Sequence, residues 1–393
     1  MATLTDFGLT TDPFSLIVQD DEVHHWAGRV REKELLLDVI ESVRVSDIGT
    51  SEFVIVHGDY GAGKSHTLRF LTTQINSDRR DHFKGKAIYL TTVRVSQKVT
   101  FLDVYKTIIT SLGTQFLANL AQTIHENVNA ANAALLQSLP QTEAATLLQQ
   151  GNQKLIERTL ERWVPERLRS TVELLLKLQA ADTTAIRYLR GEKVTMPSIG
   201  LNTPVDDDFS AVTALSSLFK VMCLSIDAQA PAFEATYLFI DEQENLVDMK
   251  AVESGQLLQS FRELLNQLPQ NFCMIWGATA DAALIEAVLP ASILQRLSRK
   301  YIELSDLTPA LAKEFLAQHL SELRTEGFQA PQPYYPFAEA AIDLIIDRIV
   351  GLTPRSMFRS LRAVLERAIR KHGLEPGQEI DAGLAQEILD LQN

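Results

Sequence analysis

The chain has 393 residues, 46% hydrophobic and 22% charged, an ordinary balance for a water-soluble protein with two or three domains. Its formal net charge of −13 argues against a surface built mainly for nonspecific DNA binding, although a local basic stripe on an acidic whole stays open. No apolar run approaches a membrane span, the first residues lack a signal-peptide pattern, and Cys223 and Cys273 show no metal-like spacing, so the expectation is a cytoplasmic protein with buried, reduced thiols.

Residues 1–27 read as a lead-in with Asp12-Pro13-Phe14, the polar run Gln19-Asp20-Asp21-Glu22 and then His24-His25-Trp26. The paired histidines lack a third ligand at useful spacing, so a solvated segment accounts for them better than a metal. Trp26-Ala27-Gly28-Arg29-Val30-Arg31-Glu32 leads into an amphipathic helix through Leu35, Leu36, Leu37, Ile40 and Val43. Taken alone, this is a helix start with charges in its first turn. The next stretch organises the chain. Phe53-Val54-Ile55-Val56 predicts a buried strand, followed by His57, then Gly58-Asp59-Tyr60-Gly61-Ala62-Gly63-Lys64-Ser65, then His66 and a helix. The glycines let backbone N–H groups approach phosphate oxygens, and the helix N-terminus adds positive potential there. Lys64 would reach the β- and γ-phosphates and the Ser65 hydroxyl a magnesium ion. Residues 58–66 are therefore the candidate ATP-binding loop, with Mg²⁺ as the accompanying ion.

Residues 86–93 predict a second strand, and Thr100 with Asp103 a capped helix start. From about 112 to 190 the sequence is rich in Ala, Leu, Gln and Glu with helical periodicity, punctuated by Pro140 and Pro165. This predicts a helical insertion between two core strands, serving either partner contact or structure. The triplet Asp206-Asp207-Asp208 before an amphipathic helix through about 226 fits charge at a helix N-terminus better than a metal cluster. Thr236-Tyr237-Leu238-Phe239-Ile240 predicts a strand that delivers Asp241 to the Mg²⁺ shell, with Glu242 placed to orient and deprotonate the attacking water. Glu244 is left structural. A further strand exits at Thr279, and the segment Leu289 to Lys300 carries Arg296 and Arg299 before strand-like residues 301–304. Residues 305–393 predict a small helical domain, with helices over 310–323, 336–350 and 354–372 and a short terminal one. In the third, Thr353 caps and Pro354 takes the first position.

The order of Gly-Arg box, phosphate loop, Asp-Glu strand, further strand, arginine segment and helical end resembles AAA+ ATPases of the initiator-like group over residues 26–370. The fold class that follows is α/β: a P-loop NTPase (AAA+) parallel-sheet core over 28–304, a long helical insertion and a C-terminal α-helical lid over 305–393. The resemblance implies adenine contact by backbone around Gly28 and Arg29. It implies that Thr279 places the water as sensor 1, that Arg296 (Arg299 in reserve) is a finger reaching a neighbour's γ-phosphate, and that Arg355 reaches the same phosphate from the lid. It thus implies a homo-oligomer with active sites between subunits. Arg359 and Arg362, along a similar face, are surface charges or a partner site. Residues 58–66, Tyr188-Leu189-Arg190-Gly191-Glu192 and Leu238-Phe239-Ile240-Asp241-Glu242-Gln243-Glu244-Asn245 resemble ATP-binding proteins of bacteriophage-exclusion (BREX) defence systems. A looser likeness runs to transposition regulators related to MuB and ExeA. That implies a bacterial ATPase with protein partners from the same system and work on DNA, with no membrane role. A competing expectation is a nucleotide-gated binding module that hydrolyses little and holds a partner through the insertion. A ring unfoldase trails, since no aromatic-Gly pore loop follows the second strand.

Overall fold

The computed structural model describes residues 3–16, 23, 25–44, 50–77, 84–91, 99–180, 183–196, 201, 203–241, 251–279, 282–289, 291–295 and 301–391. Among them, β1 (Glu52–His57), β2 (Gly85–Leu90), β3 (Ala235–Ile240), β4 (Phe272–Ala278) and β5 (Tyr301–Glu303) form one parallel sheet in the order β2-β3-β4-β1-β5. Residues 92 and 93 of the expected second strand lie outside the described residues. Every residue of β1, β3 and β4 is buried, as a parallel sheet covered on both faces requires. The period of two sorts their side chains into two cores. Phe53, Ile55, Leu238, Ile240, Met274 and Trp276 face one; Val54, Val56, Tyr237, Phe239, Cys273 and Ile275 face the other. Both faces need apolar residues, so the strands read as unbroken apolar runs rather than alternating ones.

The second core is closed by α1 (Val30–Ser42) and α2 (Lys64–Asn76). The first is closed from the sequence between β2 and β4. It begins with α3 (Phe101–Ser138), whose Thr100–Asp103 capping box forms as expected and whose helical path breaks at Gly113. Then come α4 (Gln141–Gln150), α5 (Asn152–Trp163), α6 (Glu166–Gln179), α7 (Thr183–Leu189), α8 (Asp208–Met222) and α9 (Ala251–Gln267). Pro140 and Pro165 stand immediately before α4 and α6. Leu117, Leu120, Ile124, Val128, Leu160, Val172 and Leu175 of the insertion belong to the same buried cluster as Ile240 and Trp276 of the sheet. The inner face of the insertion is thus continuous with the main core. Only Leu135, Leu147 and Leu155, at its tip, form a separate small cluster. The acidic triplet is accounted for locally: Asp207 accepts from the Ser210 N–H at 2.7 Å, and Asp208 accepts from the Leu102 N–H at 3.0 Å. Burial pushes the Cys223 thiol up to about 12 and raises Cys273 well above its ordinary value, which leaves both poor nucleophiles.

Short helices α10 (Ala282–Val288) and α11 (Ala291–Leu294) precede β5. The C-terminal part consists of α12 (Pro309–Glu322), α13 (Glu339–Asp347), α14 (Pro354–Lys371) and α15 (Ala382–Asp390) around their own core. The helix expected over 336–350 is shorter than its apolar pattern because Pro336 and Phe337 are used as extended chain. Pro336 O accepts from the Ile380 N–H at 2.8 Å, and Ile380 O accepts from the Ala338 N–H at 2.9 Å.

The N-terminal segment corrects an expectation. Rather than a solvated lead-in, it places Phe7, Leu9 and Phe14, all 0% exposed, in the core of the C-terminal helices beside Leu316, Phe337 and Met357. The Arg324 guanidinium donates to Phe7 O at 2.9 Å, and the Thr10 N–H donates to Leu323 O at 3.0 Å. Isolated apolar residues among polar ones carry no periodicity, so the sequence hides their burial.

Candidate functional site

The loop after β1 turns on two close approaches that only glycine permits. A side chain at Gly58 would sit 2.5 Å from Leu304 O, where the chain leaves β5. One at Gly61, whose φ is +87°, would sit 2.6 Å from Cβ of Arg355. Gly63 then caps α2, whose first-turn N–H groups have no acceptor within the helix. Lys64 opens that helix and is only 7% exposed, and its Nζ donates to Gly58 O at 2.9 Å and Asp59 O at 3.0 Å. Glycine backbone, the N-terminus of α2 and an ammonium folded over the same loop make a cradle suited to phosphate oxygens. Ser65 and His66 are half-buried, Ala62 is buried, and Asp59 and Tyr60 face solvent. Loss of hydration, reinforced by His319 and His25, depresses the His66 imidazole to about 4. His66 is therefore neutral at physiological pH and adds no charge beside Lys64.

Three strand ends converge at this edge of the sheet, the carboxyl edge where open parallel sheets bind ligands. β1 supplies the loop, β3 supplies Asp241 and β4, lying between them, supplies Thr279 as its first residue beyond the strand. Asp241 is 2% exposed, and its Oδ2 accepts from the Tyr89 hydroxyl at 2.8 Å. Burial and the neighbouring Asp241 carboxylate push the Tyr89 phenol up, so it stays protonated and donating. The Arg69 guanidinium lies 5.1 Å from the Tyr89 ring centre. On the other side, Gly277 faces Asp241 Oδ1, which a Cβ there would approach to 2.8 Å. Sequence reasoning missed Tyr89 and Gly277. Their signal, a phenol and a glycine inside buried strands, acquires meaning only once the strand order makes both neighbours of β3 known. Glu242, Arg296 and Arg299 lie outside the described residues.

From the C-terminal helices, α14 is capped by Thr353, which accepts from the Ser356 N–H at 3.1 Å, with Pro354 at its first position. This brings Arg355 to the phosphate loop. Its N–H donates to Gly61 O at 3.4 Å, and its guanidinium carbon lies 4.6 Å from the Tyr60 ring centre. The Gly28-Arg29 pair is wired in the same direction. Gly28 N–H donates to the Gln318 carboxamide at 2.7 Å, and Gly28 O accepts from the Trp26 indole at 2.9 Å. The resemblance implies base contact by backbone around Gly28 and Arg29; both backbone groups of Gly28 have protein partners, one of them on α12. Arg29, left-handed at φ 49°, donates through Nη2 to Ser305 O at 2.7 Å, and burial lowers its guanidinium's proton affinity. Its Nε is buried with no hydrogen-bond partner.

A family model for the AAA ATPase domain matches residues 25–275. No curated protein matches the chain. Among solved structures, the ORC2 protein of Aeropyrum pernix in its ADP form is similar with a TM-score of 0.50 and 13% identity, over 98% of this chain and 73% of that one. The ORC1 protein of Aeropyrum pernix in complex with DNA follows at 0.49 and 13%, over 97% and 69%. A Walker-type ATPase of Pyrococcus abyssi stands at 0.46 and 14%, over 97% and 76%. At such identities the likeness is one of fold. With a family match spanning the phosphate loop, Asp241 and most of β4, on a five-stranded parallel α/β sheet, this chain belongs to the AAA ATPase domain family and is an ATPase.

Proposed function

We propose that the chain is an ATP-driven switch or motor that works as a cytoplasmic homo-oligomer, with active sites between subunits, inside a DNA-directed bacterial complex of phage-defence or mobile-element type. In this reading the core spans 28–304 and the lid 305–393. The amides of residues 58–66 and Lys64 hold the triphosphate. Ser65 and Asp241 fit a magnesium ion, since a buried carboxylate steadied by a phenol stands at the strand edge beside the loop. Such an ion would neutralise charge on the phosphates. Glu242 deprotonates the attacking water, Thr279 places it, Arg296 arrives from a neighbouring subunit, and Arg355 reaches the terminal phosphate from the lid.

The observation that best supports the reading is the contact of Arg355, from the C-terminal helices, with Gly61 and Tyr60 of the phosphate loop. The DNA-directed part rests on the residues resembling defence and transposition ATPases. Mass photometry with ATP, ADP or no nucleotide, each with and without duplex DNA, tests both parts. Assembly indifferent to nucleotide overturns the oligomeric switch. DNA without effect on either assembly or ATP turnover overturns the DNA-directed role. Arg296→Ala mixed with Lys64→Ala should regain part of the lost hydrolysis; no rescue at any ratio overturns the trans arginine.

A second reading, the nucleotide-gated partner-binding module, is favoured by one feature. At the insertion's tip a cluster separate from the main core borders a cleft lined by Leu135, Leu139, Glu143, Leu147, Arg158 and Arg162, with α4 forming one wall. Removing all of 112–190 would open the main core, so α4 alone is the segment to replace. Lost partner retention with intact ATP turnover supports the module.

A further inference from the structure

Tyr60 is 69% exposed at the crown of the phosphate loop, where phosphate binding asks for backbone amides and small residues and gives an aromatic ring no task. Its ring nevertheless has a partner: the Arg355 guanidinium carbon lies 4.6 Å from its centre. Arg355 occupies the second position of α14, in the first turn, where the helix dipole already adds positive potential. A cation there is disfavoured unless something nearby offsets it. The backbone fixes the approach: Gly61 O accepts from the Arg355 N–H, and the absent side chain of Gly61 leaves room for Cβ of Arg355. Arg362, two turns along the helix, is instead paired with Asp12 at 3.3 Å and Glu366 at 3.1 Å.

We infer that Tyr60 is a positioning residue: its π face holds the Arg355 guanidinium over the phosphate loop, so that the lid is docked and its cation aimed before a terminal phosphate arrives. This rests on the reading that Arg355 meets that phosphate. The role is that of the Tyr60 ring alone, and the ring acts through Arg355. Because the ring is exposed, replacing it leaves the core intact.

The test uses the full chain as Tyr60→Phe, Tyr60→Leu, Arg355→Ala and the double variant Tyr60→Leu/Arg355→Ala. Steady-state ATP hydrolysis and binding of a fluorescent ADP analogue are the readouts. Tyr60→Leu should raise the KM for ATP by about two- to five-fold, the worth of one exposed cation–π contact. Binding of the ADP analogue should weaken by less than the KM for ATP rises, because ADP lacks the phosphate that Arg355 would meet. Tyr60→Phe, which keeps the π face, should behave as the parent, and the double variant should be no worse than Arg355→Ala. A parent-like Tyr60→Leu, an equal defect in Tyr60→Phe, or additive effects in the double variant each overturn the inference while leaving Arg355 in place. Parent-like hydrolysis by Arg355→Ala overturns the phosphate reading of Arg355, and the role of Tyr60 falls with it.

Discussion

Gly61→Ala is the sharpest test of how the C-terminal helices engage the phosphate loop. Two costs arise at once. Gly61 has a φ of +87°, where an L-residue pays about 1–2 kcal/mol. The new methyl would also lie 2.6 Å from Cβ of Arg355, a contact that cannot persist, and 3.1 Å from Oγ1 of Thr353, which would have to give by a few tenths of an ångström. Overpacking of this kind costs about 1–3 kcal/mol if the surroundings hold. They need not hold, because retreat of α14 sacrifices one long hydrogen bond, Arg355 N–H to Gly61 O at 3.4 Å, and the Arg355–Tyr60 ring contact, each worth ~0.5–1 kcal/mol. Undocking therefore undercuts full compression, and global stability should fall by about 2–4 kcal/mol, roughly half of it backbone strain. Hydrogen exchange reads the difference. The Arg355 amide should lose protection in Gly61→Ala, whereas the Ser356 amide, bonded to Thr353 within the same cap, should keep it. Gly63→Ala is the control: φ is +103°, so strain is present, but nothing lies within 4 Å of a Cβ there. It should leave the Arg355 amide protected. Equal protection of that amide in parent and Gly61→Ala would refute the docking argument.

Glu242→Gln should bind ATP but hydrolyse it about two to four orders of magnitude more slowly, the usual worth of a positioned base. Turnover like the parent's in a coupled assay removes Glu242 from the chemistry. Tyr89→Phe deletes only the hydroxyl that donates to buried Asp241, a hydrogen bond to a charged group worth ~1.5–3 kcal/mol. Urea denaturation should show that loss, and a magnesium titration of ATP turnover should show a higher requirement; a parent-like variant in both means Asp241 is held by other groups. For His66, the folded state keeps the imidazole at about 4 against 6.5 when free, so between those values the unfolded chain binds the extra proton. Stability should be flat above pH 6.5 and decline by ~1–3 kcal/mol on acidification to about 4, after allowance for partial solvation of the half-buried ring. His66→Gln should flatten the slope in denaturation midpoints measured across that range, and an unchanged slope means other groups set it.

What the sequence disclosed follows from how local each signal is. Phe53 to Ser65 announces strand, turn and helix because all the determinants lie within one contiguous stretch, and the observed β1 and α2 follow that outline. Thr100 with Asp103 and Thr353 with Pro354 were legible for the same reason: a cap is decided within four residues. Tyr89 and Gly277 were not, since neither has a role until β2 and β4 are known to flank β3. Nor was the burial of Phe7, Leu9 and Phe14, whose partners lie some three hundred residues onward in the chain. The insertion sits between these cases. Its helices and its proline breaks were visible, while the merging of its inner face with the sheet's core depends on packing that periodicity does not encode.

The C-terminal helices are joined to the sheet-containing part at more than one point, and the chemistry of the joints differs. At the loop, Gly61 and Tyr60 hold Arg355 through one backbone bond and one π face, both of which leave the guanidinium's five N–H donors available to oxygen acceptors. At the Gly-Arg box, Gln318 of α12 accepts the Gly28 N–H directly, so a base contacting that amide would have to displace the carboxamide. Phosphate binding can therefore add to the lid contact, whereas base binding through Gly28 would exchange one for another. On the proposed reading, a triphosphate tightens the lid and its loss relaxes it, while the base end works against the same closure. Gln318→Leu separates these effects. It removes the competing acceptor without touching the phosphate loop, so affinity for adenosine nucleotides should rise about two- to ten-fold, the worth of one neutral hydrogen bond, equally for ATP and ADP. A gain confined to ATP, or no gain in either by isothermal titration, would mean that the base does not use Gly28 and that the lid answers to phosphate alone.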